Sequence, residues 1–111
     1  MSAEKMKNIQ PSQVLSLAEL VEYRDGEVVS RTLSQNAAVS LTLFAFAAGE
    51  EISTHTAQGD ALLTVLDGCA HITLDGRLYV VEAGQSLVMP AGIPHAVAAE
   101  KPFKMQLTVV Y

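Results

Sequence analysis

The sequence holds one cysteine and no tryptophan, and aromatic residues make up only 5% of it. A single thiol, Cys69, excludes an intrachain disulfide, and no paired cysteines suggest a zinc module. Charged residues amount to 17%, too few for a disordered chain or a solvated helical scaffold. No basic cluster occurs, and the formal net charge is −5. Nucleic acid and anionic membrane surfaces are therefore not expected partners. No apolar run approaches the roughly 20 residues that span a bilayer. Met1 to Gln10 is polar and has no hydrophobic signal core, so a cytoplasmic location is the expectation. A nucleophile elbow and a phosphate-cradling loop are missing as well.

What is present is a chain of 111 residues, half of them apolar, enough for one domain around a single core. Residues 1–38 read as N-terminal strands or a short helix packing on a barrel formed by residues 39–111. In the first part, Val14, Leu15, Leu17, Leu20 and Val21 lack strand alternation. Ser12 is a candidate cap for a short helix there, and a strand followed by a turn fits equally.

From Val28 onward the pattern is β. Val28 to Leu33 forms one run, and Ser34-Gln35-Asn36 a break. Val39 to Ala47 alternates, with Val39, Leu41, Leu43 and Ala45 on one face and Ser40, Thr42, Phe44 and Phe46 on the other. Both faces carry apolar residues, which points to a strand covered on both sides. Asp75-Gly76 is a two-residue hairpin signal, because a type I′ turn needs positive φ at both central positions. Closing a hairpin there puts Leu74 opposite Arg77, Ile72 opposite Tyr79 and Ala70 opposite Val81, six side chains on one face, mostly the core face. His71 then lies on the other face with Cys69, Thr73, Leu78 and Val80. In all, eight to ten short strands alternate with glycine turns, the pattern of an all-β sandwich or barrel.

The most constrained stretch is Gly84 to His95. A turn glycine opens it, a short strand ends at Pro90, Gly92 permits a tight bend, and His95 follows Pro94. Gly84, Pro90, Gly92 and His95 stand at the spacing of the second motif of the cupin family. Gly49, His55 and Gly68 stand at the frame of its first motif. The region from Leu41 to Val110 resembles that family, which implies a double-stranded β-helix, the jelly-roll barrel. In typical cupins the first motif supplies two histidines and a glutamate, and the second one histidine, as ligands of one divalent metal. In this chain the second histidine position is Ala57 and the glutamate position is Ala61. The asparagine that closes the second motif is replaced by Ala99.

The resemblance therefore implies a reduced metal site on His55 and His95, for zinc, iron, nickel or manganese. Two imidazoles hold such an ion weakly, whereas two histidines and a carboxylate make a recognised iron-binding set. Asp60 is the nearest carboxylate, but alternation turns it away from Ala61. Its other reading is a turn residue bonded to the backbone. Ala57 and Ala61 leave volume beside His55, and Phe44, Met89 and Met105 would line a pocket or fill the core. Glu50 and Glu51 read as a solvated turn, Cys69 as a small packing residue, and His71 as an outward-facing side chain.

Two functional readings follow. One is a cupin that binds a small molecule in its barrel over the histidine pair. The other is a metal-dependent dioxygenase or isomerase with Asp60, Gln58 or water as a third ligand. A third reading is purely structural, a stable β homodimer whose histidines do no chemistry; a dimer is expected because an apolar strand face such as that of Leu78 and Val80 needs a cover in a chain this small.

Overall fold

The computed structural model describes residues 5–111, in which nine strands form two antiparallel sheets. The strands are β1 (Val28–Gln35), β2 (Val39–Phe46), β3 (Glu51–His55), β4 (Asp60–Asp67), β5 (Cys69–Leu74), β6 (Arg77–Glu82), β7 (Ser86–Met89), β8 (His95–Ala98) and β9 (Phe103–Val110). The larger sheet has the order β1-β2-β9-β4-β7 and the smaller β3-β8-β5-β6. Only two neighbouring pairs, β1–β2 and β5–β6, are simple hairpins. The remaining pairs join segments distant in sequence, as in a jelly roll.

Alternation sets what lies between the sheets. Phe46, Leu63, Val65, Ala70, Ile72, Val81, Met89, Val97, Phe103 and Met105 project inward and form one buried cluster. Phe46 and Phe103 are paired across β2 and β9 and stack at 4.6 Å between ring centroids. The Asp75-Gly76 turn closes β5 and β6 in the expected register, with φ of 50° and 80° at its two residues.

The larger sheet also has a small core on its outer face. Leu43 and Ala45 of β2 point outward, are fully buried, and meet Val21 and Leu33, with Ile9, Leu17, Leu20 and Leu66 around them. β2 is thus covered on both sides, as its composition indicates. The cover is the segment before β1. Among its described residues the one helical element is a single 3₁₀ turn, Leu17–Leu20, preceded by Ser16. Ser12 does not cap it, because its φ of 59° belongs to the left-handed region of a turn. Polar contacts fasten the segment down. Arg31 Nη1 donates to Leu20 O at 2.9 Å, Lys104 Nζ to Ala18 O at 2.7 Å, and Asn8 Nδ2 to Thr32 O at 2.8 Å. The Tyr23 phenol donates to the Asp67 carboxylate. Partial burial, and then Asp67, raise the Tyr23 pKa well above the usual tyrosine range.

β1 continues through Ser34 and Gln35 where the sequence suggests a break. A bulge between Thr32 and Ser34 absorbs the extra residue. The true turn lies at Asn36, whose Oδ1 accepts from Ala38 N and Val39 N. Among the described residues no helix is long and apolar enough to cross a membrane.

Candidate functional site

The mouth of the barrel is built where β3 meets β8. His55 ends β3, His95 begins β8, and the two are register partners. A shift in register between Ile52 and His55 bends the strand, the kind of bulge that re-aims a side chain near a site. The rings lie edge to face with centroids 4.2 Å apart. His95 is 4% exposed, while His55 is exposed at the rim.

Each ring is held in the same way. His55 Nδ1 bonds Ser53 O at 2.8 Å, and His95 Nδ1 bonds Ile93 O at 3.1 Å. A carbonyl only accepts, so each Nδ1 carries a proton. In the neutral ring that leaves Nε2 with its lone pair, ready to accept a hydrogen bond or hold a metal. The pair therefore offers two acceptors from adjacent strands.

Two hydrogen bonds tie the loop before His95 to the segment after His55. Gly92 N donates to Ala57 O at 2.9 Å, and Ala91 N donates to Asp60 Oδ1 at 2.8 Å. Gly92, at φ 76°, makes the bend between Pro90 and His95. Gly59 sits where a Cβ would come within 2.4 Å of Val110 O, so only glycine fits this crossing. Asp60 is exposed, and its carboxylate works as a brace for the Pro90–Pro94 loop.

The other residues singled out from the sequence fall into place around the pair. Ala57 is half-buried in the loop after β3. Ala61, Met89 and Met105 are buried in the core between the sheets, and Phe44 packs against that core from a half-exposed position. Among the described residues, no three His, Cys, Asp or Glu side chains gather as a metal-binding group. Two imidazoles are thus the side-chain donors of this kind at the pair, short of a complete metal centre. On the outer face of the smaller sheet, Cys69, His71, Glu100 and Lys101 border a shallow cavity of about 220 Å³. His71 Nε2 lies 3.7 Å from Glu100 Oε2 there.

The Cupin domain family model matches residues 42–111, which include every strand of the barrel but β1 and the first residues of β2. The chain belongs to the cupin family. A conserved protein of unknown function from Streptococcus pyogenes is 42% identical to this cupin, with a TM-score of 0.95 over 99% of this chain and 96% of its own. A cupin superfamily protein from Desulfitobacterium hafniense is 36% identical, with a TM-score of 0.92 over 96% of this chain and 98% of its own. A salicylate 1,2-dioxygenase variant from Pseudoaminobacter salicylatoxidans shares the fold at 18% identity, with a TM-score of 0.69 over 75% of this chain and 26% of its own. No curated protein matches the chain. The fold is thereby the jelly-roll barrel that the two motifs imply.

One residue of the mouth escaped the reading of the sequence. The hairpin register puts Arg77 on the same face as Tyr79 and Val81, where it is the basic residue of β6 and stands exposed at the strand's end. A cation on an otherwise apolar inward row was the signal.

Proposed function

We propose that this cupin binds a small organic molecule at the barrel mouth, over His55 and His95, and lacks a complete metal centre of its own. The observation that carries the reading is the histidine pair itself. Two neighbouring strands present rings 4.2 Å apart, and both rings spend Nδ1 on backbone carbonyls. Such anchoring keeps two Nε2 acceptors aimed by the backbone, with little rotamer freedom left to lose on binding. The metal-dependent enzyme reading needs a third donor. Asp60 is already engaged by Ala91 N, and alanines stand at the two lost ligand positions. Any zinc, iron, nickel or manganese would take its remaining donors from solvent or from the bound molecule.

The test has two parts. Elemental analysis of protein purified without a histidine tag should find well below one equivalent of transition metal. A fragment screen read on the His55 and His95 ring signals by NMR should find binders, and their shifts should vanish in His95→Ala. Near-stoichiometric metal that is lost in His55→Ala would overturn the reading, as would a screen in which no fragment moves either ring.

The partner on the outside is a second copy of the chain. Among the described residues, the N-terminal segment covers the outer face of the larger sheet over β1, β2, the Leu66 end of β4 and Lys104 of β9. Beyond it Leu62, Val88 and Val110 stand 43%, 53% and 57% exposed, with Thr64, Ser86 and Thr108 between them. None of those side chains is charged, and Asp60 at the corner is engaged by Ala91. An uncharged apolar face is complementary to itself, as a two-fold interface requires. Leu78 and Val80 are also exposed, but Glu82, His71, Glu100 and Lys101 surround them on the other sheet. Sedimentation at micromolar concentration should therefore give a dimer. Leu62→Asp with Val88→Asp should give a monomer, and Leu78→Asp should leave the dimer intact. A monomeric wild type would refute the assignment.

A further inference from the structure

The smaller sheet carries one continuous row of side chains across its inner face at the barrel mouth. Arg77 on β6 is the register partner of Leu74 on β5, Leu74 is the partner of His95 on β8, and His95 is the partner of His55 on β3. All four belong to the inward set. Tyr79 and Val81, which follow Arg77 at the same phase of β6, pack on the core. The row therefore runs cation, apolar side chain, then two imidazoles.

Arg77 is held but not neutralised. Its guanidinium carbon lies 5.2 Å from the centroid of the Tyr79 ring, a stacking contact that orients the planar fork. Among the described residues the one ion pair within 4.0 Å is His71–Glu100, so no carboxylate satisfies Arg77. Even Asp75, in the adjoining turn, does not pair with it. An arginine with no ion-pair partner among the described residues, next to half-buried Leu74, is a ready partner for an anion brought in from outside.

Spacing and polarity then describe what fits. Two strand intervals separate Arg77 from His95, about 10 Å between their Cα atoms. Half-buried Leu74 lies between them. At the far end both Nδ1 atoms are spent on carbonyls, so in the neutral rings each Nε2 is an acceptor. We infer that the mouth takes a small monocarboxylate with an apolar body and a hydroxyl at its other end. Arg77 grips the carboxylate in a forked pair of hydrogen bonds, the body lies over Leu74, and the hydroxyl donates to the histidine pair. This assignment rests on the small-molecule reading above and names the class of molecule.

The probes are para-hydroxybenzoate, para-hydroxyphenylacetate and para-hydroxyphenylpropionate, which vary only the distance between the two groups. Each is titrated into the full chain, with the histidine ring signals followed by NMR. At least one acid should shift both rings and saturate. Its methyl ester, which lacks the charge, and its methoxy analogue, which lacks the donor, should bind more weakly. Arg77→Gln should raise the Kd of the acid by about tenfold or more. Arg77→Lys, which keeps charge but not the fork, should fall between. Arg77 is exposed, so these variants should fold, and the same spectra verify it. Equal binding of acid and ester, or an unchanged Kd in Arg77→Gln, would overturn the carboxylate assignment. If neutral fragments reach the histidines and none of the three acids does, the ligand class is wrong and the site stands. If neither fragments nor acids reach them, both fall.

Discussion

Phe103→Ala should lower the free energy of unfolding by about 3–5 kcal/mol, the range for emptying a buried aromatic site. Phe103 is completely buried, and its ring stacks on Phe46, tilted by only 15°. The walls of the resulting cavity cannot easily move in. On one side Phe46 is fixed by an unbroken β2–β9 ladder. On the other, the backbone at Gly68 already lies against this strand. A Cβ there would meet Pro102 O at 2.5 Å and the Phe103 Cβ at 3.0 Å. Collapse is what makes such substitutions cheap, and this site has little room for it. The melting temperature should drop by about 10–20 °C for a chain of this size. Leu78→Ala, at an exposed position, should change stability by no more than about 0.5 kcal/mol. Urea titrations with equal slopes for both variants and wild type would measure the contrast. A loss below about 1 kcal/mol in Phe103→Ala would mean that the two sheets are not held by this stack.

The parts of the fold that were legible in the sequence are those fixed by local chemistry. Asp75-Gly76 admits one tight turn, and that turn dictates the register of β5 and β6 down to Ala70 opposite Val81. Pro90 and Gly92 likewise end β7 at Met89 and deliver His95 as the first residue of β8. Period-2 alternation identified β2 as covered on both faces, because Leu43 and Phe44 cannot both be buried under a single layer. It did not reveal the cover. The residues before β1 have no periodicity of their own, and their conformation follows from apolar contacts with Leu33, Leu43 and Ala45 and from hydrogen bonds to distant groups such as Lys104. The break expected at Ser34 was wrong for a similar reason: a bulge keeps Ser34 in the ladder, where its hydroxyl donates to Lys5 O at 2.7 Å.

At the site, motif spacing placed His55 and His95 together but said nothing about which ring nitrogens are free. That depends on the carbonyls of Ser53 and Ile93, two residues back in each case. The role of Asp60 was half legible. Alternation turned it away from Ala61, and turn chemistry suggested a backbone bond, but its partner Ala91 lies 31 residues away. Arg77 shows the opposite case. The hairpin register contained its inward direction, while its importance depends on a row that only the pairing of all four strands completes.

Ala57→His should convert the weak pair into a metal site, raising zinc affinity by more than about a hundredfold, since even an outer-shell partner of a metal ligand is worth 10–100-fold. The two remaining imidazoles already have their Nδ1 protons anchored, which is the arrangement a ligating histidine needs. Ala57 is half-buried, in a loop tied to Gly92 through its own carbonyl, so a larger side chain can be added without displacing the core. A third imidazole there brings the donor count to that of a catalytic zinc site. Ala61→Glu is not an equivalent repair. Ala61 is 2% exposed and packed among Leu63, Met89 and Val109. A glutamate at that position would overfill the core and bury a carboxylate, and should cost about 1–3 kcal/mol or more. Competition with a chromophoric chelator measures the first effect and thermal unfolding the second. Gain of about one equivalent of zinc in Ala57→His, lost again in Ala57→His/His95→Ala, would establish that the two native rings aim at a single point. Failure to gain metal in a folded Ala57→His protein would show that they do not, and the shared acceptor site on which the ligand reading depends would have to be abandoned.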